Sequence, residues 1–358
     1  MKERHMDKSG FSFRRYAIAA AAVSAAAILP AVAESAADAP DLEAAAARTA
    51  RMHDAKWGVF NHFLSSGCTN AAQWNARVDG LDVEKVAAQL ESCGAKFYFF
   101  TLMQGRPFLC APNATFDRIA GVKPGEACSR RDLPAELAMA LGRRGIDLYL
   151  YYTGDGPWKD DVIGRRFGFV EPRTDGVGRQ FVEKWAAVLE EYAVRYGESV
   201  KGWWIDGCYT YFKYSDDLLA LYARAVRKGN PKALVAMNNG VKPYYAKYHS
   251  GDDFTCGEFN DFYVIPRSRF IDGAQAFALI PLGAKRNGNA GWGQIGCKRD
   301  AEYVSGFVSL VNKSGGVVAI DVKIHPDGSF EPDQLEVLKA VGRRTGTLRG
   351  QDRRDVCQ

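Results

Sequence analysis

Several things are missing from this sequence, and each absence removes a class of protein. No heptad pattern is sustained and glycine follows no triplet period, which excludes coiled-coil and collagen-like rods. No CxxC pair occurs, so a zinc ribbon has no ligand frame. There are five histidines, none at metal-ligand spacing, and no metal or other cofactor is expected. Charge of one sign is scarce. Residues 1–33 carry Lys2, Arg4, Lys8, Arg14 and Arg15 against Glu3 and Asp7, which is +3 of the formal +5, so the rest holds only +2. That balance gives no electrostatic case for nucleic acid or a membrane surface. No apolar run approaches the ~20 residues that cross a bilayer.

The longest apolar run is Ala17 to Leu29, with basic residues before it and Ala31-Val32-Ala33 after it. This pattern is that of an export signal over 1–33 with an A-x-A cleavage site. Arg14-Arg15 and the Ala-rich core suggest the twin-arginine route, although Phe13 stands where Ser or Thr is usual. An uncleaved anchor is the alternative. The expected product is periplasmic or extracellular, with no membrane contact once the signal is removed. Residues 34–50 read as a linker, 51–345 as the folded domain and 346–358 as a tail. Eight cysteines are present, and an oxidising compartment would permit bridges. Cys110 and Cys128, flanking one loop, are the expected pair; Cys93 and Cys208 read as buried thiols.

What is there is an alternation. At 47% apolar and 25% charged, the chain has the composition of a sizeable core. Short apolar runs at 57–63, 96–102, 146–154, 200–207, 233–240, 253–259, 275–283 and 317–322 read as strands. Amphipathic stretches at 82–95, 133–145, 179–197, 215–230, 301–316 and 332–344 read as helices. Eight strands, several apolar throughout and five or more followed by a helix, predict a parallel α/β fold, a (β/α)₈ barrel. An open doubly wound sheet usually shows a Gly-rich phosphate loop after its first strand, and Asn61-His62-Phe63-Leu64-Ser65-Ser66-Gly67 is not one.

In such a barrel the site lies past the C-terminal strand ends. Polar residues there are His62, Thr101, Gln104, Asp155, Asp206, Asn238, Asn239, Glu258 and Asp321. Trp57, Trp74, Trp158, Trp203, Trp204 and Trp292 lie at or near strand ends. Carboxylates among aromatic platforms suit sugars, whose C–H faces stack while their hydroxyls need polar partners. Asp206, ending the apolar run Gly202-Trp203-Trp204-Ile205, is the foremost candidate, since a carboxylate there must be hydrogen-bonded or functional.

Lys56 to Phe63 resembles the K-F-G-I-F-I-H-W opening of the α-L-fucosidase family of glycoside hydrolases. Asp82 to Leu102 resembles its next helix and L-T-T strand, Gly145 to Trp158 its R-G-L-x-x-G-x-Y-Y-S segment, and Tyr196 to Gly207 its Y-G-x-x-x-x-x-W-x-D-G. Glu302 to Phe330 resembles the stretch containing N-I-G-P. The resemblance covers nearly all of 50–345, in order. It implies a catalytic domain, an oligosaccharide or glycoconjugate substrate, and release of fucose or a related deoxy or modified sugar; the C-terminal β-sandwich common in the family is expected to be absent, leaving a single domain. It makes Asp206 the nucleophile of a retaining mechanism. Glu258, in a T-x-x-E context near strand six, is the candidate general acid/base, with Asp155 and Asp161 as alternatives. His62, Trp57, Gln104, Trp204 and Trp292 are the expected substrate contacts. The departures are specific. The family's His-His pair falls where Met103-Gln104-Gly105-Arg106 stand, its next Trp falls at Ala111, its W-E pair at Gln275-Ala276-Phe277, and N-I-G-P at Asp321-Val322-Lys323-Ile324. Loss of the His-His pair predicts weaker recognition of unmodified fucose, and an inward Arg106 would favour an anionic group. A sugar-binding barrel that has lost turnover is the competing reading. The oligomeric state is not set by the sequence.

Overall fold

The structure is a computed structural model describing residues 40–169 and 177–348. The expected export signal, Cys357 and most of the tail lie outside the described residues. Helix α1 (Leu42–Ala55), capped by the Asp41 side chain, already occupies the second half of the stretch read as a linker.

Strands β1 (Trp57–Asn61), β2 (Phe97–Thr101), β3 (Asp147–Thr153), β4 (Val200–Asp206), β5 (Leu234–Met237), β8 (Phe277–Pro281) and β9 (Val317–Val322) form one parallel sheet. Its order is β5-β4-β3-β2-β1-β9-β8. A two-stranded antiparallel hairpin, β6 (Phe270–Ile271) and β7 (Ala274–Gln275), lies apart. Helices form where side-chain caps start them. The Asn70 side chain accepts from Gln73 N and opens α2 (Ala71–Asp79). The Asp82 carboxylate accepts from Lys85 N and opens α3 (Val83–Cys93), which stops at Gly94, whose left-handed backbone suits glycine.

The sheet is curled, and strand period decides what faces each side. Phe60, Phe99, Tyr149, Tyr151, Trp204, Leu279 and Ala319 fill the concave side, together with Phe254 and Cys256. Their neighbours Val59, Leu148, Leu150, Trp203, Ile205, Val318 and Ile320 pack under the helices. Burial on both faces explains why these runs read as continuously apolar.

The expected eighth strand at 253–259 forms isolated bridges in place of a regular ladder, so what the structure shows is a seven-stranded half-barrel of TIM-like type. Main chain and side chains share the pairing on both flanks of this segment: Asp253 N donates to Val235 O at 2.9 Å, Thr255 N to Gln275 O at 2.9 Å, and Phe259 N to Leu279 O at 3.0 Å. Toward β5, Asp252 Oδ1 accepts from Met237 N at 3.0 Å and Asp253 Oδ2 from Val235 N at 3.0 Å. Toward β8, the Thr255 hydroxyl donates to Phe277 O and accepts from Phe277 N. Isolated parallel bridges remain at Phe254–Gln275 and Glu258–Leu279. Gly257 makes that contact close. Its φ is +46° and an added Cβ would lie 1.9 Å from Phe277 O. Gly257→Ala is therefore expected to destabilise by at least about 2 kcal/mol, read as a lowered urea midpoint.

Cysteines 68, 93, 110, 128, 208, 256 and 297 are free thiols. The expected Cys110–Cys128 bridge is absent: both are buried, with Cys110 Sγ on Thr101 O and Cys128 Sγ on Asn113 O. No helix among the described residues is long and apolar enough to cross a membrane.

Candidate active site

At the C-terminal ends of the strands lies a cleft of about 540 Å³. His62, Gln104, Trp204, Asp206, Glu258 and Trp292 all line it, so the structure brings together six of the seven expected site residues. Trp57 is the exception, and the expectation that it touches substrate is wrong. It begins β1, so it sits at the opposite end of the strand, and its odd position turns it toward the helices. There it is fully buried, its indole N–H donating to Thr347 Oγ1 at 2.8 Å. His62 follows Phe60 by two residues and so faces inward.

The same period places Asp206 two residues beyond inward-facing Trp204, and Glu258 two beyond inward-facing Cys256. Asp206 accepts at both oxygens, from the Tyr151 hydroxyl at 2.6 Å and from Asn238 Nδ2 at 2.7 Å. That same nitrogen donates to Glu258 Oε2 at 2.7 Å. One amide nitrogen thus joins both carboxyl groups, and the two bonded oxygens lie no further apart than twice 2.7 Å, about 5.4 Å. Asn238 Oδ1 accepts from Gly240 N at 3.0 Å, which fixes the amide with its NH₂ toward the acids. Burial, then the Asp206 charge, push the Glu258 carboxyl up to about 7, against the pull of Asn238, His62 and Lys242. The aromatic floor supplies the low dielectric: Trp204 meets Phe60, Phe99 and Phe277 edge-on.

On the other wall, His62 Nδ1 lies 2.8 Å from Asp321 Oδ1, and Gly293 N donates to the other Asp321 oxygen at 2.7 Å. Asp321 is fully buried. Burial disfavours the imidazolium, but the Asp321 charge and hydrogen bond outweigh it, so the His62 pKa is raised. The Trp292 ring stands edge-on to His62 at 5.9 Å, and its indole N–H donates to Asn260. The Trp204 indole N–H is buried with no acceptor among the described residues. Of the alternative acids, Asp161 is exposed in the first turn of the helix Asp161–Phe167, and Asp155 is buried against the Thr153 hydroxyl; neither lines the cleft. Arg106 is exposed and also outside it. Among the described residues no group of three His, Cys, Asp or Glu is placed to hold a metal.

Sequence reasoning misses Tyr151 and Tyr209, which also line the cleft. Tyr151 hides in the apolar run of β3, yet its parity with Tyr149 marks it as inward. Asn238→Ala should remove the donor that holds Glu258 down, so the Glu258 titration moves to higher pH. Loosening both acids should also lower turnover on the order of 10²-fold, measured as kcat/KM against pH.

A TIM-like half-barrel with two carboxyls and aromatic walls at its strand ends is the architecture of a sugar-processing domain. The α-L-fucosidase family model matches residues 47–346, and the chain belongs to that family. A search of curated proteins gave no match. Among solved structures, the endo-fucoidan hydrolase MfFcnA4 of glycoside hydrolase family 107 is similar with a TM-score of 0.64 and 16% identity over 83% of this chain. The chain spans about half, 53%, of that protein's length. The α-L-fucosidase AlfC from Lactobacillus casei gives a TM-score of 0.59 at 18% identity, covering 83% of this chain and 97% of that one. The family 29 α-L-fucosidase from Bacteroides thetaiotaomicron, trapped as a covalent intermediate, gives 0.58 at 18% identity, covering 84% and 74%.

Proposed function

We propose that this protein is a retaining glycoside hydrolase acting on fucose-containing glycans. The observation that carries the reading is the Asn238 amide shared by Asp206 and Glu258, which keeps the two bonded carboxyl oxygens within about 5.4 Å, short of the wider spacing of ~6.5–9.5 Å that an inverting mechanism needs. In the first step the Asp206 carboxylate attacks the anomeric carbon as the glycosidic C–O bond breaks. Glu258 gives its proton to the departing oxygen. In the second step Glu258, now a carboxylate, takes a proton from water, whose oxygen attacks the same carbon and releases Asp206. The electrostatics serve this order. While Asp206 is charged it holds the proton on Glu258; once Asp206 is esterified that charge is gone, and Glu258 becomes a better-matched base. His62, oriented through Nδ1 by Asp321, is a donor for sugar hydroxyls. A sugar-binding domain without turnover is disfavoured, because Asp206 has a second carboxyl beside it. We also propose export, with signal removal after Ala33, tested by fractionation and N-terminal sequencing of the mature protein.

The test is hydrolysis of an aryl α-L-fucoside followed by NMR. Initial release of the α-anomer supports the reading; the β-anomer, or no turnover of any fucoside, overturns it. Because Glu258 must start protonated, kcat/KM should fall tenfold per pH unit well above about 7.

A further inference from the structure

The charges in the cleft are segregated. Its two lining carboxyls, Asp206 and Glu258, belong to β4 and to the segment after β5. Another part of the lining, supplied by α2 after β1 and by the loop after β9, strands that pair in the sheet, carries two cations, Arg77 and Lys323. Lys323 is there by strand period. Val317 and Ala319 face the concave side while Val318, Ile320 and Val322 face the helices, so position 323 continues the inward row above Asp321. It is half-buried, and its ammonium has no hydrogen bond or ion pair among the described residues. The acids that follow it in the chain are taken: Asp327 by Lys85 at 3.0 Å and Glu331 by His325 at 3.1 Å. Asp321 beneath is taken by His62 and Gly293 N.

Arg77 belongs to α2 and is held in place without being neutralised. Its Nη1 donates to Leu64 O at 2.8 Å and Ser66 O at 2.7 Å, both main-chain acceptors. Nε and Nη2 have no acceptor among the described residues. A guanidinium fixed through one nitrogen with the others open, lining the same cleft as an uncompensated ammonium, suits a compact oxyanion. A neutral sugar would give neither charge a partner. Deepening the glycosidase reading, on which it rests for the sugar, we propose that the β1/β9 wall of the cleft is a subsite for an anionic substituent of the glycan, a sulfate ester or a carboxylate, held by Lys323 and Arg77.

The test separates this subsite from catalysis by using Asp206→Asn protein, in which binding is read without turnover. Calorimetry would compare three disaccharides: neutral difucoside, the same sugar bearing a sulfate ester, and fucose linked to a uronate. One anionic sugar, or both, should bind about tenfold more tightly than the neutral one at low salt, and the margin should shrink as salt rises. Which arm wins distinguishes sulfate from carboxylate. Adding Lys323→Gln should collapse the ratio of anionic to neutral affinity, and Arg77→Gln serves as the second variant. Equal affinity for all three sugars overturns the proposal, as does failure of both anionic sugars to bind, or a ratio that survives both substitutions. If the parent protein hydrolyses no fucoside, the catalytic reading fails while this ratio is still measured.

Discussion

Asp206→Asn should reduce kcat/KM on the best aryl fucoside by on the order of 10⁴-fold or more, while the melting temperature stays within a few degrees of the parent. The fold should survive because the hydrogen bonds can be kept. An amide oxygen at the Oδ1 position still accepts from Asn238, and an amide NH₂ at Oδ2 can donate to the Tyr151 hydroxyl, which then acts as acceptor. What disappears is the negative charge and the nucleophile. Losing the charge also removes one of the two causes that raise Glu258, so its titration in this variant should move down from about 7. A variant within a few-fold of the parent would show that Asp206 is not the nucleophile. A variant that melts far below the parent would show that its carboxylate is a structural group.

Much of this architecture is legible in the sequence because it rests on local rules. Parallel strands buried on both faces leave apolar runs, and β3, β4 and β9 lie within a residue of where those runs fall. Asp206 can be found because a carboxylate closing Gly202-Trp203-Trp204-Ile205 has no apolar explanation, and Glu258 because it is a glutamate at a late strand end, in a T-x-x-E context. Trp57 misleads through its proximity to the His62 motif, although its parity and its place at the strand start both put it on the far side of the sheet. The segment 253–259 misleads because its main-chain pairing is broken into isolated bridges, with Asp252, Asp253 and Thr255 side chains taking some of the places a regular ladder gives to main chain, and composition does not distinguish the two. Cys110 and Cys128 look paired by loop spacing, which fixes the length of a loop but not where each thiol points.

The roles of Asn238 and Asp321 are out of reach for a different reason. Both stand on the strand-end shortlist, but what each does depends on partners far away in sequence. Asn238 acts through Asp206, 32 residues earlier, and Glu258, 20 later; Asp321 acts through His62, 259 residues away. Strand period predicts that such residues face the same cavity. Which nitrogen meets which oxygen is decided by how β4, β5 and β9 are staggered in the sheet, and no single element carries that information.

Glu258→Gln should separate two kinds of substrate. With a poor leaving group, such as a natural sugar alcohol, the first step needs a proton on the departing oxygen, and the variant should lose on the order of 10³-fold or more. With a dinitrophenyl fucoside the leaving oxygen hardly needs that proton, so glycosylation of Asp206 should proceed. The glycosyl-enzyme then waits, because water has lost its general base. Added azide, a nucleophile that needs no deprotonation, should raise turnover severalfold and yield the fucosyl azide with retained configuration. The pH profile gives an independent reading. In the parent, kcat/KM falls above about 7 as Glu258 loses its proton, whereas an amide at this position cannot titrate, so that limb should be absent from whatever activity the variant keeps. Equal losses for both leaving-group classes, with no response to azide, would remove Glu258 from the chemistry. The bond from Asn238 to Glu258 Oε2 would then be a packing contact, and the cleft would need another acid within reach of Asp206.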